Sequence, residues 1–80
     1  MKFKKLNTLS DYDQIKVGNK IYWAEPLNPF QDETPSPDTI LEIDYNGNWV
    51  DCENGGFSVE DIGERVFFNY EDAYNKLNNI

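Results

Sequence analysis

The chain contains no histidine, a single cysteine and only seven lysines and arginines among 80 residues. Without an imidazole, histidine general-base catalysis and histidine metal ligation are both excluded. A serine or threonine nucleophile would then depend on lysine as its base, and the lysines fall at the polar N-terminal end and in the last helix. We therefore expect no enzymatic activity and no cofactor. The single cysteine, Cys52, cannot close an internal disulfide, and its neighbours Asp51 and Glu53 disfavour the thiolate, so it reads as a structural or idle thiol. Apolar runs reach only a few residues, and the lysines at 2, 4 and 5 are followed by no apolar stretch. Neither a signal peptide nor a membrane span is expected, which places the chain in the cytosol.

What is present is acid and aromatic. Fifteen Asp and Glu give a net charge of −8, so the molecule as a whole is repelled by phosphates and anionic lipids, and general binding to nucleic acid or membrane is not expected. The hydrophobic share of 39% with 15% aromatics is too high for a disordered acidic chain. A chain of this length has room for one core, so residues 1–80 form a single domain. Charge is segregated along it. Residues 1–20 carry five lysines against Asp11 and Asp13, net +3, and residues 21–80 carry thirteen acids against Arg65 and Lys76, net −11. The basic part is concentrated in a segment over 1–15.

Turn chemistry divides the chain into short strands. Gly18 and Asn19 feed a strand over 20–25 built from Ile21, Tyr22 and Trp23. Pro26, Pro29, Pro35 and Pro37 mark an acidic loop over 26–38, because proline neither donates to a ladder nor sits inside a helix. From Thr39 to Tyr45, Leu41, Ile43 and Tyr45 alternate with Glu42 and Asp44, the period of a strand with one wet face. Asn46-Gly47 predicts a type I′ turn and a return strand over 48–53. Gly55 and Gly56 lead to Phe57–Val59, and a further strand runs through Arg65 to Phe68. Asn69 is a good N-cap for a helix over 70–78 with acids in its first turn, and Thr8 to Asp13 predicts one helical turn. Tight turns forbid parallel crossovers. The expected fold is therefore mostly β (α+β), a small antiparallel SH3-like barrel or curled sheet of four to five strands with a C-terminal helix.

The stretches VGNKIYWAE (17–25) and FSVEDIGERVFFNYEDAYNKL (57–77) resemble a loosely defined group of short SH3-like proteins of Gram-positive bacteria and their phages. That group shares an opening strand after a VG turn and a closing DIG hairpin and helix. The resemblance implies an SH3-like fold and a mobile-element setting, and it carries over no functional residue.

Two constellations compete for a role. Glu42, Asp44, Asn46, Gly47, Val50 and Glu53 fit positions 1, 3, 5, 6, 9 and 12 of a calcium loop, with Glu for Asp at the first. Such a loop needs a helix on each side, whereas Pro35, Pro37, Gly55 and Gly56 flank this one, so we read a hairpin and no metal site. The second is an acidic surface anchored by an aromatic: Phe30, Asp32, Glu33, Asp38, Glu42, Asp44, Asp51 and Glu53. Aromatic anchors supply interface energy, and carboxylates steer toward a cationic partner. The reading is a non-enzymatic binding protein that occludes the basic, nucleic-acid-binding surface of a host defence protein by mimicking phosphates, as anti-CRISPR inhibitors do. The alternative is an SH3-like peptide or protein interaction module whose aromatic face binds.

Overall fold

The computed structural model describes residues 5–25 and 34–78. These residues form five strands and a terminal helix: β1 (Lys20–Trp23), β2 (Ser36–Asp44), β3 (Trp49–Cys52), β4 (Gly56–Ser58), β5 (Val66–Phe67) and α1 (Tyr70–Leu77). The sheet order is β4-β3-β2-β1-β5 with every neighbour antiparallel. Consecutive strands β1 to β4 make a meander, and β5 returns to pair with β1 through Tyr22↔Phe67 and Trp23↔Val66. The result is a curled half-barrel with one helix, consistent with a small SH3-like α+β fold.

The concave side holds the core. Ile21, Ile40, Val50, Phe57, Ile62 and Val66 are fully buried there, and Trp23 meets Phe57 edge to face at 5.9 Å. The N-terminal segment belongs to this core and is not merely a charged tail. A 3₁₀ turn at Leu9–Asp11 buries Leu9, Tyr12 and Ile15 against the sheet, and the turn is opened by the Asp11 carboxylate accepting the Thr8 N–H at 3.1 Å. The Tyr12 hydroxyl accepts the Leu6 N–H at 2.7 Å. A second 3₁₀ turn, Val59–Asp61, uses the same device, with Asp61 accepting the Ser58 N–H at 2.9 Å. Asn69 caps α1 as the sequence predicts, its side-chain oxygen accepting the Asp72 N–H at 2.8 Å. Ala73 is the buried residue of the helix.

Three local expectations need correction. The proline loop ends before Ser36, because Ser36, Pro37 and Asp38 are already in β2. Pro37 is tolerated there for a geometric reason. Ile40 donates to Asn19, so the alternation of the ladder puts the Tyr22↔Pro37 pair at a non-hydrogen-bonded position, and β3 pairing begins only at Ile40↔Cys52. Second, a β-bulge lies between Ile40 and Glu42. The extra residue turns Leu41 out, leaves Ile40 buried and Ile43 partly buried, and keeps Glu42 and Asp44 on the wet face. Of the alternating trio Leu41, Ile43 and Tyr45, only Ile43 packs on the core. Third, the hairpin is not a two-residue type I′ turn. Asp44 pairs with Trp49, leaving residues 45–48 as the loop, and the left-handed residue is Asn48 at φ 53°. Asp44 Oδ1 accepts the Gly47 N–H at 3.0 Å, and a Cβ at position 47 would lie 2.6 Å from Asp44 Oδ2. Gly47 thus makes room for the folded-over carboxylate rather than supplying a positive φ.

Candidate interaction face

The outer side of the β2–β3 hairpin carries Glu42, Asp44 and Asp51, none of them in an ion pair among the described residues. Glu42 faces Asp51 and Asp44 faces Trp49 across the ladder, so these four side chains stand on one face at the corners of a patch. Glu42 and Asp44 are two residues apart on β2, an advance of about 6.6 Å. Like charges directly opposite one another in a sheet are destabilising, yet no cation among the described residues meets Glu42, Asp44 or Asp51. The ion pairs there join Arg65 to Glu25 and Asp61, and Lys76 to Glu64.

Each carboxylate of the patch except Glu42 is oriented by a hydrogen bond. Asp44 holds the turn, and Asp51 Oδ1 accepts the Trp49 indole N–H at 2.8 Å. Trp49 is 42% exposed. Its Nε1–Cε2–Cζ2 edge lies across Gly56 on β4, so close that a Cβ there would sit 2.5 Å from Cζ2. Glycine at 56 therefore provides the floor on which the indole rests. Leu41 and Tyr45 are also exposed, Leu41 in the bulge and Tyr45 in the turn. Glu53 is exposed just past the end of β3.

The other proposed acids separate. Asp38 is no surface group: it is 4% exposed and must be removed from the acidic surface. Its Oδ2 accepts the Trp23 indole N–H at 3.0 Å, its Oδ1 the Thr39 N–H at 2.8 Å, and both oxygens lie within 3.3 Å of the Asn54 N–H. The physical reason is parity. Asp38 lies two residues before Ile40 on β2 and so shares its inward face, where a charge is tolerable only when its lone pairs are satisfied. Phe30, Asp32 and Glu33 lie outside the described residues.

Residue spacing in the sequence hides two further clusters. Arg65 donates through Nε and Nη2 to both oxygens of Glu25 at 3.1 and 3.0 Å, approaches Asp61 at 3.5 Å and lies 5.7 Å from the Trp23 ring centroid. These bonds, with Glu25 foremost, hold the guanidinium still more firmly protonated. Arg65, Glu25 and Trp23 line, with Asn54, Gly55 and Gly56, a cavity of about 160 Å³, and the guanidinium in it is already paired with Glu25. On the far side, Tyr22 meets Tyr70 edge to face at 6.0 Å and Tyr70 stacks on Tyr74 at 6.1 Å. The i, i+4 spacing of Tyr70 and Tyr74 was the available signal for this pair; nothing in the sequence announced that Tyr22 would join them.

Cys52 is buried. Burial first, and the charges of Asp38 and Asp51 second, push its thiol up to about 12, which makes it a poor nucleophile at neutral pH. Among the described residues no group of three or more His, Cys, Asp or Glu is arranged to hold a metal ion, and the Glu42–Glu53 stretch is a hairpin rather than a helix-flanked calcium loop. None of the helices among the described residues is long and apolar enough to cross a membrane. No protein family matches the chain, and no curated protein or solved structure is similar to it.

Proposed function

We propose that this protein acts by docking and performs no bond-making of its own, presenting Glu42, Asp44 and Asp51 to the cationic, nucleic-acid-binding surface of a partner protein. The observation that carries the reading is the placement of these three carboxylates on one sheet face with no compensating cation among the described residues. A groove lined by lysine and arginine for a polyanion binds fixed carboxylates for the same electrostatic reason and is then closed to its nucleic acid. The resemblance to short SH3-like phage and Gram-positive proteins suggests a mobile-element setting with a host defence protein as the partner, making the protein an anti-CRISPR-like inhibitor in the cytosol. Glu53 extends the same surface in this reading, and Phe30, Asp32 and Glu33 are further proposed partner contacts.

The test is capture of the partner from a Gram-positive host lysate at two salt concentrations. Charge mimicry predicts that capture weakens at least ten-fold between low and high ionic strength and is abolished in the triple variant E42Q/D44N/D51N. Undiminished capture by that variant overturns the proposal.

One observation favours a second reading. The exposed Tyr70 and Tyr74 and the half-buried Tyr22 form an aromatic cluster beside Pro37, the kind of surface on which SH3 domains hold proline-rich peptides. Binding through it would change little with salt and would be lost on Tyr70→Ala with the acids intact.

A further inference from the structure

The acidic patch has a centre that charge alone does not require. Trp49 stands among Asp44, Asp51 and Glu42, 42% exposed. Among the described residues its side chain makes one hydrogen bond, through its ring nitrogen to Asp51, and no ring or cation contact. An indole left in water at the middle of a charged sheet face loses the burial that usually justifies it. Here the ring is nonetheless fixed from two sides: Asp51 holds its N–H, and Gly56 lets its edge lie flat against β4. The surface so made is a wide π-face rimmed by carboxylates.

That combination is selective among cations. A lysine ammonium is satisfied by the carboxylates as a compact, strongly hydrated charge. A guanidinium is planar and weakly hydrated, so it can stack on the indole while its fork of donors reaches neighbouring carboxylate oxygens. From this geometry we infer that the Trp49 ring is a stacking platform for an arginine side chain of the partner protein, with Glu42 and Asp44 accepting the guanidinium's hydrogen bonds. The inference rests on the docking role of the acidic face and adds the identity of the residue recognised at its centre.

Hexa-arginine and hexa-lysine peptides are the probes, titrated against the ¹⁵N-labelled protein at low salt while the two indole N–H resonances are followed, Trp49 being assigned by its loss in W49L. The expected result is that hexa-arginine binds about five-fold more tightly than hexa-lysine and shifts the Trp49 indole resonance but not that of Trp23. W49L removes the ring. G56A keeps the ring and every carboxylate but places a methyl group where the indole edge lies, displacing the platform. Both variants should cut the arginine preference to less than two-fold while leaving hexa-lysine binding unchanged. A preference that survives either variant overturns the inference, because it then comes from the carboxylates alone. So does equal binding of the two peptides to the unmodified protein. In both cases the docking role stands provided that E42Q/D44N/D51N weakens both peptides. If that triple variant binds hexa-lysine as well as the unmodified protein does, or if neither peptide binds, the acidic-face reading falls and the inference with it.

Discussion

Asp38 shows how a single carboxylate can be a scaffold rather than a contact. It is the charged side chain buried among the described residues, and its two oxygens gather donors from Trp23 on β1, Thr39 on β2 and Asn54 in the turn before β4. Asp38→Ala leaves the indole and the Asn54 N–H without an acceptor in a water-poor site, so it should cost on the order of 2–3 kcal/mol, read as a lower urea midpoint with unchanged slope. Asp38→Asn retains one acceptor oxygen and should cost less. Cys52 offers a second measurement. In the unfolded chain its thiol ionises near the ordinary value of 9.0, whereas burial holds the folded thiol neutral up to about 12. Raising the pH through that interval therefore draws protons from the unfolded chain first, and the thiol's share of stability, complete below 9, is lost as the pH climbs toward 12. Cys52→Ala should flatten this part of the stability curve. Iodoacetamide at pH 8 should label the native thiol far more slowly than the thiol in urea. Of these two residues, Cys52 was read as inert from Asp51 and Glu53, but burial, the main cause, and Asp38 were not legible in its sequence neighbours. The burial of Asp38 was not legible either, because one acid among fifteen carries no mark of burial until its parity with Ile40 is known.

At the level of elements, the turns and caps were the legible part. Asn69 caps α1 through its side-chain oxygen, and Asn69→Ala should cost about 1 kcal/mol, measurable as a shift in thermal midpoint with the native far-ultraviolet spectrum kept. Gly18 takes φ 93° in the turn before β1, and the tight β2–β3 and β3–β4 connections are too short for a parallel crossover. The β2–β3 hairpin was found but its register was not. Asn46-Gly47 is a strong two-residue turn signal, yet the Asp44 carboxylate competes for the Gly47 N–H and Asn48 takes the left-handed position. The bulge at Leu41 has the same origin. Ile40 and Ile43 both gain burial only if one residue between them is expelled, and that is a decision of packing rather than of local pattern. The same bulge keeps Glu42 and Asp44 on the outer face, whereas Asp38, grouped with them from the sequence, lies inside.

For the molecule as a whole, segregated charge is the property that matters most. The acidic hairpin face lies in the part of the chain that is net −11, whereas the lysine-rich first twenty residues are net +3, and in the docking reading proposed above this asymmetry steers the encounter with a cationic partner. Salt should therefore act mainly on the association rate and weakly on dissociation, a division that stopped-flow mixing with the captured partner can read. Fold class was accessible because turn residues, strand periods and a helix cap all agreed. Site geometry was accessible only in part, since Trp49 resting on Gly56 depends on two strands being neighbours.

The pairing of Tyr22 with Phe67 has a consequence for biosynthesis. Strand β1 is translated well before its second neighbour β5, and the buried Ile62 and Val66 arrive with the latter. Over that interval the nascent chain carries β1 with one edge unpaired, and an unpaired edge is open to wrong partners.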